Sequence, residues 1–181
     1  MKRIFLFVLP LLLYPAGPAQ AAEAGFPETV RLGETRLAKV GQGTFRWFLI
    51  HVYDGSLYLD AERAEADPLG DVAKRLELSY RVGISAEDFI KSGMKILRDN
   101  LDPMEMTLLE ERLVRFNAAY RPVQPGDRYA LTYLPGDGTT LSLNGDPLVT
   151  IKGADFARAY FSIWLGGNPV KKSFREDLLG L

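Results

Sequence analysis

His51 is where nucleophilic or general-base chemistry would have to begin, because the sequence has a single His and no Cys. A Ser-His-Asp system would require it, yet no G-x-S-x-G segment is present to offer a serine. His51 also stands among the apolar residues of a strand-like stretch. We therefore interpret it as a partly buried strand histidine with a hydrogen-bonded ring nitrogen, and the sequence indicates no catalytic residue.

The sequence also has few residues that could form a metal site or a nucleotide-binding site. One His, no Cys and no acidic loop with calcium spacing predict that the protein holds no metal. Gly41-Gln42-Gly43 is glycine-rich, but it lacks a third glycine and opens no helix, so neither the dinucleotide nor the Walker pattern is met. We predict no cofactor, and interpret these glycines as positions where a strand bends or a neighbour approaches closely.

Arg46 and several aromatic residues are better candidates for binding. A guanidinium at the head of an apolar strand needs an anionic or carbonyl partner, or must reach solvent. The sequence leaves open whether Arg46 holds a ligand or is a strand-end arginine in water or paired with an Asp. Together with strand aromatics around an apolar cleft, it would suit a ligand with a carboxylate or phenolate head and an oily body. The predicted ligand-binding residues are Arg46, Phe48, Tyr53 and Tyr80.

The N-terminus predicts export. Lys2 and Arg3 precede the apolar run Ile4–Tyr14, which is shorter than the about 20 residues that a membrane span needs. Ala19-Gln20-Ala21 has the small-x-small pattern of a signal peptidase site. We predict a cleavable signal peptide over residues 1–21, cut after Ala21, and a periplasmic mature protein without a transmembrane segment. An uncleaved membrane anchor is the alternative.

The rest of the chain, residues 22–181, predicts a single domain, since no repeat or long linker divides it. Removing Lys2 and Arg3 from the 22 basic residues leaves 20 against 23 acidic ones, a net charge of −3. Such a balance does not favour nucleic acid as a partner, because phosphates require a basic face. Without cysteines, stability must come from burial and not from disulfides.

Hydrophobic periodicity predicts strands and helices in separate blocks. Arg46–Leu59 has apolar groups on both faces and predicts one long central strand, while Arg75–Val82 alternates as a strand with one face toward the core. Helices are expected to start at Ser85 and at Asp102-Pro103, where capping residues stand.

A β meander and two further helices complete the pattern. Asn144-Gly145 predicts a type I′ hairpin turn, Asp155 predicts a helix N-cap, and Lys171–Leu179 predicts a short terminal helix. The blocks predict an α+β fold with an antiparallel sheet. The meander strands are expected at Arg128–Leu134, Thr139–Leu143 and Pro147–Lys152.

Three segments together resemble the chalcone isomerase-like family, in its bacterial exported branch. They are GQGTFRWFLIHVYDGSLYL (Gly41–Leu59), PGDRYALTYLPGDGTTLSLNG (Pro125–Gly145) and DFARAYFSIWLGGNPVKKSFREDLLG (Asp155–Gly180). The resemblance implies an open-faced β-sandwich, a large antiparallel sheet covered by a layer of helices with a cleft between them. The family includes enzymes that close a chalcone to a flavanone and non-catalytic relatives, some of which bind fatty acids.

The family's enzymes use an Arg, a Thr and a Tyr to stabilise an enolate, and these carry over only in part. The arginine falls at Phe45 or, with a slip of one residue, at Arg46, whereas an alignment through a longer loop selects Arg36. The threonine falls on Phe48, and the tyrosine falls near Asp88-Phe89, where no tyrosine stands. Because one lost oxyanion donor commonly costs about 2.7–4 kcal/mol of barrier, the resemblance implies little catalysis.

Three functions follow from these observations. The preferred one is an exported, non-catalytic protein that binds a small amphipathic, fatty-acid-like ligand in the cleft, with Arg46 at its head group. An intramolecular lyase of the chalcone isomerase type is the first alternative, and an envelope protein-interaction module is the second. The expected partner is a small amphipathic or hydrophobic molecule.

Overall fold

The computed structural model describes residues 25–63 and 65–181, so the predicted signal peptide, residues 1–21, lies outside the described residues. These residues form a sheet of seven antiparallel strands, each paired with the strand that follows it along the chain. The strands are β1 (Thr29–Leu32), β2 (Thr35–Trp47), β3 (Ile50–Asp60), β4 (Lys74–Tyr80), β5 (Arg128–Leu134), β6 (Gly138–Leu143) and β7 (Asp146–Ile151). The helices are α1 (Ala86–Asn100), α2 (Pro103–Asn117), α3 (Ala154–Leu165) and α4 (Lys172–Leu179).

The helices form a layer over one face of the sheet. α1 and α2 lie between β4 and β5 in the chain, and α3 and α4 follow β7. α3 packs on α1 and β6, whereas α4 packs on β2 and β3. The predicted α+β fold, a large antiparallel sheet covered by helices, is confirmed. Within the described residues, no helix is both long and apolar enough to span a bilayer.

Side-chain caps start the first two helices as predicted. Ser85 accepts a hydrogen bond from the Asp88 backbone N–H at 3.1 Å. Asp102 and Glu105 form a reciprocal capping box at the start of α2. The prediction that Asp155 caps a helix is wrong, because Gly153 is the N-cap of α3 and has no side-chain cap. The Asp155 carboxylate lies in the first turn and binds the Arg112 guanidinium at 2.5 Å instead.

The prediction of one continuous strand over Arg46–Leu59 is wrong, because the chain reverses within it. β2 ends at Trp47, β3 begins at Ile50, and these two residues pair across a two-residue turn formed by Phe48 and Leu49. Phe48 adopts a φ of 52° without the Gly or Asn that usually indicates such a turn. The later part of the segment is a central strand as expected, since β3 lies between β2 and β4.

Two hydrophobic clusters hold the sheet, one on each face. The main cluster lies between the sheet and the helices, and in it Phe45 stacks on Tyr53 with ring centroids 4.8 Å apart. The smaller cluster packs Leu37 and Tyr58 on the other face. Burial on both faces explains why β3 has few polar positions in its second half.

Gly41 and Gly43 let α4 approach the backbone of β2, as their interpretation from sequence predicted. A Cβ on Gly41 would lie 2.3 Å from the carbonyl oxygen of Asp177 in α4. A Cβ on Gly43 would lie 2.5 Å from the Asp177 Cβ. Any larger residue at these positions must therefore push the helix off the sheet.

We expect Gly41→Ala to lower the free energy of unfolding by about 1–3 kcal/mol, because the added methyl group overpacks a backbone contact. Urea denaturation measures this change. Gly167→Ala is the matched control, since a Cβ there meets no atom within 4 Å. Equal stability of the two variants would contradict the close packing of α4.

Candidate functional site

An apolar cavity of about 640 Å³ lies between the sheet and the helices. This volume is within the range of about 300–1,000 Å³ typical of small-molecule sites. Its inner wall consists of buried side chains: Leu76, Leu131, Leu141, Tyr129 and Tyr160. Its exposed lining residues are Trp47, Ile50, Gly83, Asp88 and Ser92. The cavity therefore opens between the β2–β3 hairpin and the first half of α1.

Tyrosine hydroxyls are among the polar groups of the cavity. Tyr120 and Tyr160 share a hydrogen bond of 2.9 Å between their hydroxyls. The Tyr129 hydroxyl donates to the Arg121 carbonyl and accepts from the Arg121 N–H, both at 2.8 Å. These bonds satisfy polar groups that would otherwise be costly to bury.

The cavity is electrically almost neutral. Burial raises the pKa of Tyr53, Tyr80, Tyr120 and Tyr160, so all four stay protonated at neutral pH. Among the described lining residues, Asp88 is the one carboxylate, and none is Lys, Arg or His. The walls can therefore hold an oily body and hydrogen-bond a polar atom, but they provide no cation for a carboxylate or an enolate.

Two of the four predicted ligand-binding residues line this cavity. Tyr53 and Tyr80 lie opposite each other on β3 and β4, with ring centroids 5.6 Å apart. Arg46 and Phe48 are not among the lining residues. Arg46 is exposed, and its backbone carbonyl accepts a hydrogen bond from Lys171 Nζ at 3.3 Å.

The missed turn explains where Arg46 and Phe48 lie. Phe48 is 86% exposed at the hairpin tip, because the chain leaves the cavity wall beyond Trp47. Arg36, the alternative anchor from the family resemblance, is exposed at the opposite end of β2 and does not line the cavity.

Sequence reasoning did not select the aromatic residues that the helices and their connections contribute. Phe89 of α1 stacks on Tyr120 with centroids 5.2 Å apart, and its edge meets Tyr129 at 5.5 Å. Tyr160 and Trp164 come from α3. The signal was a set of apolar stripes at helical spacing, which fits a filled core equally well.

A hydrogen-bonded cluster around Asp54 braces the rim of the cavity from the other face of the sheet. His51 Nε2 lies 2.8 Å from Asp54 Oδ1, which confirms the interpretation of His51 as a hydrogen-bonded strand residue. Thr44 donates to the same carboxylate at 2.7 Å, and Arg81 donates to it at 2.9 Å. Since Asp54 alternates with Tyr53 along β3, these contacts fix the strands that carry the tyrosines.

Residues 25–63 and 65–181 contain no group of three His, Asp or Glu residues that could hold a metal ion. The prediction of no cofactor stays a prediction.

The sequence profile of a known family, described as chalcone isomerase-like, matches residues 18–180. The chain belongs to the chalcone isomerase-like family. A solved structure with this fold is that of a fatty-acid binding protein of Arabidopsis thaliana, with a TM-score of 0.67 and 18% sequence identity. The match covers 85% of this chain and 90% of that chain. No curated protein sequence matches.

At 18% identity the Arabidopsis thaliana structure establishes the shared fold alone. It agrees with the open-faced β-sandwich that the resemblance implied for a chalcone isomerase-like protein. The exported bacterial branch of the family stays a prediction.

The Asp54 cluster makes stability depend on pH. Burial alone would raise the pKa of Asp54, but hydrogen bonds from Thr44, Arg81 and His51 lower it below its ordinary value. A carboxyl with a lowered folded-state pKa stabilises the fold above its unfolded-state pKa of about 4, and this contribution disappears as the pH falls through the folded-state value. We expect Asp54→Asn to flatten the fall in unfolding free energy below about pH 4.

Urea denaturation midpoints between neutral pH and about pH 2 measure this change. Asp137→Asn is the control, because it removes an exposed carboxylate in the β5–β6 turn. Its unfolding free energy should fall at acidic pH as that of the wild type does. If the unfolding free energy of Asp54→Asn falls at acidic pH as steeply as that of the wild type, the cluster does not stabilise the fold.

Proposed function

We propose that this chalcone isomerase-like protein is exported and non-catalytic, and that it binds a small amphipathic molecule with a fatty-acid-like chain. The observation that carries the proposal is the apolar cavity of about 640 Å³ between sheet and helices. The similar structure from Arabidopsis thaliana is that of a fatty-acid binding protein, which supports the same class of ligand.

The residues that line the cavity favour recognition of the ligand's acyl chain over recognition of a charged head group. The oily body contacts the leucines and tyrosine rings of the inner wall, where burial of apolar area contributes about 25 cal/mol per Å². A polar atom of the ligand accepts a hydrogen bond from a protonated tyrosine or lies at the mouth beside Ser92. Arg46 does not line the cavity, so it is not proposed as a head-group anchor inside it.

The same lining supports a non-catalytic role. Enolate stabilisation needs donors or cations placed where negative charge develops. The arginine that the family's enzymes use has no counterpart among the described residues of the cavity wall.

Gly93 keeps the cavity open. It lies in the middle of α1 and lines the cavity, and the nearest atom to a Cβ built there is Ile163 Cδ1 at 3.7 Å. A glycine inside a helix costs about 0.5–1 kcal/mol relative to alanine. Because Gly93 lines the cavity, we expect a longer side chain at this position to take up space that a ligand would occupy.

We expect Gly93→Leu to weaken uptake of a dansyl-labelled fatty acid at least about tenfold, because leucine fills part of the cavity. Fluorescence titration measures the affinity, and thermal unfolding confirms the fold, which better helix propensity should stabilise. Gly93→Ala is the matched control with the same gain in propensity and little lost volume. His51→Ala should leave uptake largely intact, since its ring does not line the cavity.

Two results would overturn the binding proposal. One is a folded Gly93→Leu variant with wild-type affinity for the labelled fatty acid. The other is a wild-type protein that takes up no labelled fatty acid and carries no small molecule in native mass spectrometry.

Export is tested by the mass of the protein that accumulates in a Gram-negative bacterium. We expect a periplasmic protein that begins at Ala22, because Ala19 and Ala21 supply the small residues of a signal peptidase site. Ala21→Phe blocks that site and should accumulate the uncleaved chain. A cytoplasmic protein that keeps residues 1–21 would contradict export.

A further inference from the structure

The tip of the β2–β3 hairpin exposes four consecutive apolar residues, here named the apolar tip: Trp47, Phe48, Leu49 and Ile50. Their exposed fractions are 62%, 86%, 94% and 54%. Trp47 and Phe48 meet edge to face with ring centroids 5.4 Å apart, so the two rings cluster outside the core. A contiguous exposed apolar surface of this kind indicates an interaction site.

The backbone conformation at the tip is also energetically unfavourable. Phe48 has a φ of 52°, a left-handed conformation that is uncommon for a bulky side chain. In a two-residue hairpin turn, a first central residue with positive φ is usually Gly. A phenylalanine that is both strained and solvated gains nothing for the fold, and such outliers point to function.

Charge around the tip is positive on the hairpin side. Residues 44–53 contain Arg46 and no Asp or Glu. Arg46 and Lys172 are exposed, and Lys171 Nζ lies 3.3 Å from the Arg46 carbonyl oxygen. The two carboxylates of α1 near the mouth, Glu87 and Asp88, belong to the first turn of that helix and not to the hairpin, and Asp88 also lines the cavity.

We propose that the apolar tip docks the protein on an anionic phospholipid bilayer. Trp and Phe side chains favour the boundary between head groups and acyl chains, and adjacent Lys and Arg side chains are attracted to anionic head groups. A two-residue hairpin turn with four consecutive exposed apolar side chains fits a deformable lipid surface, whereas a protein groove would have to be shaped around it.

Docking at the tip also orients the cavity. Trp47 and Ile50 belong both to the apolar tip and to the lining of the cavity mouth. When the tip enters the lipid, the mouth faces the bilayer, and an acyl chain passes between bilayer and cavity with little contact with water. This passage rests on the proposed function, but the docking itself does not.

Trp47 provides a direct readout of docking. The chain contains two Trp residues, so Trp164→Phe leaves Trp47 as the single tryptophan, whose emission lies at longer wavelength than that of the tyrosines. The experiment uses the chain from Ala22, whose described residues contain both hydrophobic clusters, because the apolar run Ile4–Tyr14 would bind lipid by itself. We expect a blue shift of Trp47 emission on adding phosphatidylethanolamine–phosphatidylglycerol vesicles, and quenching by brominated acyl chains.

Variants of the tip test which residues drive the partitioning. We expect Phe48→Gly and Leu49→Ser each to weaken binding to these vesicles at least about tenfold. Each variant removes a large apolar side chain whose burial in the lipid would drive binding. Phe48→Gly also removes the unfavourable φ, so its melting temperature should not fall. Leu108→Ser is the matched control, because Leu108 is 71% exposed on α2, away from the tip.

A charge variant separates the two contributions to binding. Arg46→Gln should weaken binding to phosphatidylglycerol-containing vesicles and leave the weaker binding to pure phosphatidylcholine unchanged. Added salt should have the same effect as Arg46→Gln.

Failure of docking is distinguishable from failure of the proposed function. Gly93→Leu should bind vesicles like the wild type, whereas Phe48→Gly should take up the labelled fatty acid from solution like the wild type. Docking is overturned if Trp47 emission does not respond to anionic vesicles. It is also overturned if Leu108→Ser weakens binding as much as Leu49→Ser, or if the tip variants only dissolve a dimer seen by sedimentation.

Discussion

Helix α4 lies directly on the backbone of β2, and this contact supports one wall of the cavity from behind. Because Gly41 and Gly43 have no side chains, the Asp177 backbone can approach the strand at van der Waals distance. The contact brings Phe174 of α4 against Phe45 and Tyr53, with centroids 6.2 and 5.5 Å apart. Phe45 and Tyr53 line the cavity, so two glycines that do not line it help to position one of its walls.

Three of the tyrosine hydroxyls around the cavity are hydrogen-bonded within the protein. The Tyr120–Tyr160 and Tyr129–Arg121 hydrogen bonds hold the hydroxyls in place, and the rings pack edge to face around them. An apolar ligand would add dispersion contacts along the walls of the cavity. A ligand that supplies those contacts stabilises the folded state by mass action, in proportion to the logarithm of its concentration.

Local chemistry made much of the fold predictable. Ser85, Asp102 and the Asn144-Gly145 turn each satisfy a backbone requirement with their own side chain or backbone freedom, so they could be assigned from the sequence. The hairpin at Phe48 could not, because its turn uses a residue that opposes the local preference. β1 and the first half of β2 were also missed, since β1 alternates over only four residues and the first half of β2 mixes polar and apolar residues.

The candidate site was predictable only in part, for a geometric reason. Tyr53 and Tyr80 could be selected because each belongs to a stretch with strand-like periodicity. The two residues then lie opposite each other on the paired strands β3 and β4. Arg46 was selected from its charge, but one unrecognised turn moved it to solvent. Periodicity shows which face of a helix is apolar, and it does not show whether that face meets another side chain or a void.

Gly93 places thermal stability and binding capacity in opposition. The helix forgoes the propensity that almost any other residue would give it, and the gain is open volume. Directed evolution for heat resistance alone would therefore select larger residues at this position. The resulting protein would be more stable and would no longer bind its ligand. Conversely, a graded series of side chains at this one position would set the longest or widest chain that the protein accepts.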